Sequence, residues 1–160
     1  MKTKLIILTV CAAFIALGSC KQKEWIEWKV QNEIWLQQNA QKDSVVTTPS
    51  GLQYKILYEG NLSDAKPSLI STVYITYTGK LINGVVFDSH ENASLNLQSS
   101  AIKGFAEGMT KIHKTGDIEI YIPWELGYQS DGNGAAEGYS SNIPPYSTLI
   151  FRVHLNGLTN

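Results

Sequence analysis

Thiols, arginine and paired metal ligands are scarce in this 160-residue sequence, and each scarcity closes off a class of chemistry. Its two cysteines, Cys11 and Cys20, both fall within the first twenty residues. The rest of the chain can therefore form no disulfide and offers no cysteine nucleophile. Arg152 is the only arginine, and the formal charge is −1 with a pI near 6.3. A nucleic-acid surface needs a dense Lys/Arg patch, so no nucleic-acid partner is expected. His90, His113 and His154 are scattered, none beside another ligand at a recognised spacing, and no metal is expected. Asp131-Gly-Asn133-Gly-Ala135 begins like a calcium loop but puts alanine where the fifth position needs an oxygen ligand. Gly132-Asn-Gly134 lacks the third glycine of a dinucleotide loop, and there is no Gly-x-Ser-x-Gly elbow. No cofactor is expected.

Long apolar runs are missing too. The one candidate, Leu5 to Leu17 after Lys2 and Lys4, is shorter than the ~20 residues that span a bilayer and fits a removable signal better. It ends Leu17-Gly18-Ser19-Cys20, which resembles the lipobox of bacterial lipoproteins. That resemblance implies cleavage after Ser19 and acylation of Cys20 as a lipid anchor; an ordinary secretory signal with an unused Cys20 is the alternative. Loss of residues 1–19 leaves 11 Lys+Arg against 14 Asp+Glu, a formal charge of −3.

What is present comes in three stretches: the signal (1–19), an anchor, helix and linker (20–49), and one domain (50–160). Glu24 to Ala40 places Trp25, Trp28, Ile34, Trp35 and Leu36 so that several share one helical face. Three tryptophans within eleven residues mark either packing on the chain's own domain, a homodimer contact, or a membrane-interface surface. Gln41 to Pro49 is polar and reads as a linker; within it, Asp43-Ser44-Val45 resembles a bacterial O-glycan acceptor. From Leu52 the apolar period becomes two. Alternation recurs at Val73, Ile75 and Tyr77, from Asp117 to Ile122, and from Thr148 to Leu155, and Asn83-Gly84 signals a two-residue hairpin. Ser99 or Ser100 is positioned to cap a helix through Ile102, Phe105, Met109 and Ile112, stopped by Gly116. The expected architecture is α+β, an antiparallel sheet of about five strands with one short helix across it.

Asp88 follows Phe87 directly at the end of an apolar strand. A lone aspartate there is by default an exposed turn acid. Here Tyr77, Phe87, Ile102, Phe105, Tyr128 and Phe151 supply aromatic and aliphatic faces on elements that must pack together. An apolar concavity with one acid and one tyrosine is a usual form of a small-ligand or peptide site.

Four segments carry a family resemblance in order: Tyr77-Thr-Gly79; Gly84-x-x-Phe87-Asp88-Ser89; Ile102-x-Gly104-x-x-Glu107-Gly108-Met109; and Ile143-Pro144-Pro145-x-x-Thr148-Leu149-Ile150-Phe151. With them, residues 50–158 resemble an FKBP-type peptidyl-prolyl cis-trans isomerase domain. Pro49-Ser50-Gly51-Leu52-Gln53-Tyr54 is similar to the domain start in the bacterial macrophage-infectivity-potentiator branch. The resemblance implies a five- to six-stranded antiparallel half-barrel wrapped around one short helix, with an N-terminal helical extension.

It also implies site roles. Tyr77, Phe87 and Phe151 form walls, and Phe105 the floor where the family usually has tryptophan. Asp88 is the pocket acid, while the Ile102 amide and Tyr128 hydroxyl are donors. Ala101, Tyr139 and Ile143 contribute to substrate binding. The implied partners are X-Pro segments of exported proteins and macrolide ligands of the family. The implied location is the bacterial cell envelope, by a lipid anchor in the outer membrane. A non-catalytic module that binds proline-containing chains, with weak or no isomerase activity, is the competing reading.

Overall fold

The computed structural model describes residues 25–133 and 142–159. The expected signal (residues 1–19), Cys20 and Tyr139 lie outside the described residues. Residues 25–39 form helix α1. Six strands follow: β1 (Val46–Thr47), β2 (Gln53–Tyr58), β3 (Thr72–Lys80), β4 (Val86–Asn96), β5 (Asp117–Ile122) and β6 (Leu149–Thr159), with helix α2 (Lys103–Met109) between β4 and β5. All neighbouring strands pair antiparallel in one sheet of order β1-β2-β5-β6-β3-β4.

The two-residue period of β5 divides the molecule into layers. Ile118, Ile120 and Ile122 are fully buried on the side of α2. A Cβ on Gly104 would lie 2.5 Å from Ile122 Cγ2, and one on Gly108 would lie 2.6 Å from Ile120 Cδ1. Glycine in a helix costs about 1 kcal/mol relative to alanine, and here it lets α2 lie directly on the isoleucines. Glu119 and Tyr121 point to the opposite face. Tyr121 stacks against Trp35 of α1 with ring centroids 5.8 Å apart, and its hydroxyl donates to Glu119 Oε2 at 2.7 Å. Burial, with that acceptor and its charge, pushes the Tyr121 phenol pKa well above its ordinary value.

Helix α1 is docked by polar side chains. Asn32, fully buried, accepts from the Thr148 amide at 2.7 Å and donates to the Trp28 carbonyl at 2.8 Å. Asn39 Nδ2 donates to Gln53 Oε1 at 2.9 Å, and Trp28 Nε1 to Ser147 Oγ at 3.0 Å. Trp28 and Trp35 therefore face this chain's own domain.

Several local expectations are corrected. The β3–β4 hairpin is not closed by a two-residue turn: the Gly84 amide donates to Leu81 O, and within the turn only Gly84 has positive φ, at 86°. This is a type I turn followed by a glycine bulge. Helix α2 ends at Met109 rather than near Gly116, because the Thr110 hydroxyl and amide both take the Glu107 carbonyl. Its N-cap is Ile102, with no side-chain cap, so neither Ser99 nor Ser100 caps the helix. His154, read from the sequence only as one of three scattered histidines, has its Nδ1 3.1 Å from Asp117 Oδ1.

Candidate active site

Tyr77 from β3, Phe87 and Asp88 from β4, Phe105 from α2 and Phe151 from β6 converge on the α2 side of the sheet. With Ala101, Ile102 and Tyr128 from the connecting segments they line a cavity of about 500 Å³. Strand alternation puts Phe151 beside Ile120, its cross-strand partner, on the buried face. The Phe105 and Phe151 rings meet edge to face at 5.0 Å, Phe87 and Phe151 at 5.4 Å, and Tyr77 reaches Phe151 at 5.9 Å and Phe105 at 6.3 Å. Edge-to-face pairs at these separations are individually favourable by about 0.5–1.5 kcal/mol. They hold the four rings as one fixed wall.

Gly79 makes that wall possible. A Cβ at this position would sit 2.6 Å from Phe87 Cζ and 2.9 Å from Phe151 Cε1. The tyrosine two residues earlier turns its hydroxyl to Asp88, donating to Oδ2 at 2.6 Å. The contact is short enough for a charge-assisted bond. It supplies Asp88 with a donor at the margin of an otherwise aromatic surface.

The segment before α2 contributes the main-chain group. The Ile102 amide points to Ser100 Oγ at 3.3 Å, and the same hydroxyl contacts the Ile102 carbonyl at 3.2 Å. Both contacts are longer than the usual 2.9–3.0 Å. An incoming carbonyl at ordinary distance is the better partner for that amide.

Ile143, expected to contribute to substrate binding, is 1% exposed and belongs to the core, with its carbonyl accepting from the Asn133 amide. Sequence reasoning missed His90, Asn92 and Ser100, which also line the cavity. The register of β3 on β4 shifts between Ile75 and Tyr77, and Asn92 has φ 58°. This bulge turns β4 so that residues of both alternating phases reach the pocket. Ser100 had a signal: a hydroxyl two residues before a candidate amide donor.

Among the described residues no group of three or more metal-ligating side chains occurs, and no helix is long and apolar enough to cross a membrane.

The family model described as FKBP-type peptidyl-prolyl cis-trans isomerase matches residues 63–156. A second, described as a domain amino terminal to FKBP-type peptidyl-prolyl isomerase, matches residues 9–56. The chain is similar to the FKBP-type 22 kDa peptidyl-prolyl cis-trans isomerase of Escherichia coli, at 39% identity over 125 residues covering 76% of this chain and 56% of that protein. It is 37% identical over 132 residues to the outer membrane protein MIP of Legionella longbeachae, covering 81% and 53% respectively. Among solved structures, FkpA from Escherichia coli superposes with a TM-score of 0.79 at 29% identity, covering 96% of this chain and 71% of that one. The chain spans about half the length of the curated relatives it matches.

Proposed function

Since the chain belongs to the FKBP-type peptidyl-prolyl cis-trans isomerase family, we propose that its aromatic cavity isomerises X-Pro bonds in exported or unfolded proteins. The observation that carries this reading is the four-ring wall beside the Tyr77–Asp88 hydrogen bond.

Rotation about a peptide bond meets a barrier of ~18–20 kcal/mol because it breaks amide resonance. Unaided, an X-Pro bond isomerises over tens to hundreds of seconds. No covalent step is needed to speed this. In the twisted amide the carbonyl is less polar than in either planar isomer, so an apolar wall penalises it less and binds it preferentially. A preference of about 5 kcal/mol corresponds to an acceleration of several thousandfold.

In this reading the proline ring rests on Phe105, with Tyr77, Phe87 and Phe151 as walls. The Ile102 amide exchanges its long contact with Ser100 for the substrate carbonyl, and the Tyr128 hydroxyl is a second donor. Asp88, held by Tyr77, orients toward the rotating bond, and Ala101 leaves space for the residue beside proline. Residues 50–160 would form the isomerase domain, and residues 20–49 the anchor, helix and linker.

The proposed setting is the bacterial envelope, with Cys20 lipidated at the outer membrane. An outer-membrane relative supports this, as does the lipobox-like Leu17-Gly18-Ser19-Cys20. Because Trp28 and Trp35 are occupied by the chain's own domain, a homodimer through α1 would have to meet at the helix's opposite face. A macrolide ligand of the family tests the pocket assignment. It should raise Tm in the wild type and leave Phe87→Ala unshifted. A folded wild type with no shift contradicts the assignment.

A further inference from the structure

Helix α1 has two faces, and among the described residues only one packs on the domain. Trp28, Asn32, Trp35 and Asn39 face the domain, whereas Ile26, Val30 and Ile34 are 58%, 47% and 46% exposed. Their four-residue spacing aligns them along the outer side of the helix, a stripe about 12 Å long. The outer face of a docked helix is ordinarily polar, and β-branched residues are weaker helix formers than the alternatives. Neither folding of the chain nor docking of α1 accounts for three such residues there.

We propose that this stripe lies against the lipid surface to which Cys20 is attached; the inference rests on the lipid-anchor reading above. Ile26 follows Cys20 by six residues, and an extended chain spans at most ~3.3–3.6 Å per residue, so the stripe cannot leave the vicinity of the bilayer. Tethering makes docking an intramolecular event, for which a small partition energy suffices. A second copy of the chain is the less suitable occupant. A stable protein interface takes ~800 Å² from each partner, far more than three aliphatic side chains present. The flanking charges of α1 are mixed: Lys29 pairs with Glu33 at 3.7 Å and lies over the Trp124 ring at 5.1 Å. Apolar insertion, rather than attraction to anionic headgroups, holds the contact.

The layer order gives this contact a consequence. Helix α1 and the cavity lie on opposite faces of the sheet, as Tyr121 against Trp35 and Ile120 against Gly108 define them. With the stripe on lipid, the cavity opens away from the bilayer toward chains in the aqueous space.

The test uses the full lipoprotein reconstituted in vesicles of phosphatidylethanolamine and phosphatidylglycerol, with a nitroxide on Val30→Cys and, as control, on Leu62→Cys, which is 70% exposed in the segment between β2 and β3 and lies outside α1. Flotation with the vesicles reports the anchor, and quenching by oxygen against a water-soluble nickel complex reports depth. The proposal predicts an oxygen-to-nickel accessibility ratio several-fold higher at residue 30 than at residue 62, unchanged by added salt. Floated protein with equal ratios overturns the docking and leaves the anchor standing. Spin–spin coupling between copies at residue 30 overturns it in favour of a dimer. Wild type that fails to float removes the anchor, and the proposal with it.

Discussion

Tyr77 and Asp88 meet diagonally across β3 and β4: Tyr77 pairs in register with His90 and Asp88 with Gly79, yet the Tyr77 hydroxyl reaches Asp88 Oδ2 at 2.6 Å. Diagonal neighbours are within reach of a long aromatic side chain. The bond fixes the carboxylate among the described lining residues without moving Tyr77 from its contacts with Phe105 and Phe151.

Tyr77→Phe keeps the ring contacts and leaves the carboxylate without its donor. A hydrogen bond to a charged, partly buried acceptor is worth about 1.5 kcal/mol or somewhat more. Urea unfolding should show that loss with an unchanged m-value, and Asp88→Asn, which still accepts from the hydroxyl, should lose less.

Gly79→Ala drives a methyl into Phe87 and Phe151. Overpacking of this kind costs about 1–3 kcal/mol. Because the displaced atoms are the pocket wall, isomerase activity should fall in protein that remains folded at 25 °C. A Tm decrease with full activity would mean that the wall positions are not the site.

Gly108→Ala should destabilise despite alanine's better helix propensity, because Ile120, fully buried, has Cδ1 at 2.6 Å from the new methyl. Ile120→Val removes that atom. The double variant should therefore be more stable than the sum of the single losses, a coupling that a double-mutant cycle reads directly.

Tyr121 should make stability pH-dependent only in the alkaline range. The phenol's pKa is raised in the folded state by burial and by Glu119. The folded protein thus keeps a proton that the unfolded chain releases near pH 10. Below that pH the contribution is fully present; above it, stability falls by up to about 1.4 kcal/mol per pH unit for this one group. Urea titrations from pH 8 to pH 11 should show a steeper decline in the wild type than in Tyr121→Phe. Parallel curves would mean that the phenol is not shielded.

Much of this was legible in the sequence, for identifiable reasons. Period-two alternation located the strands because the sheet is buried on the α2 face, where Ile118, Ile120, Val153 and Leu155 are fully buried. The aromatic set converged because each member occupies an inward phase of its own element. Where the sequence misled, a local hydrogen bond or a bulge had overridden the period. Thr110 ended α2 early, the glycine bulge at Gly84 replaced a tight turn, and the shift in β4 brought His90 to the cavity. Packing of α1 on its own domain was one of the readings its tryptophans allowed, but the polar part of that docking carried no periodic signal: Asn32 and Asn39 are buried, Asn32 accepting from the Thr148 amide and Asn39 donating to Gln53. Ile143 was read from its place in a motif, and packing put it in the core instead.

The central claim is that the four-ring cavity isomerises X-Pro bonds, and a protease-coupled isomerisation assay tests it most directly. The substrate is a short peptide with an apolar residue before proline, and the comparison is with the Phe87→Ala, Tyr128→Phe double variant. The account predicts clear acceleration by the wild type and its collapse in the variant, with both samples shown to be folded by circular dichroism. Folded wild type that leaves the uncatalysed rate unchanged would contradict the account and favour a non-catalytic proline-peptide binder.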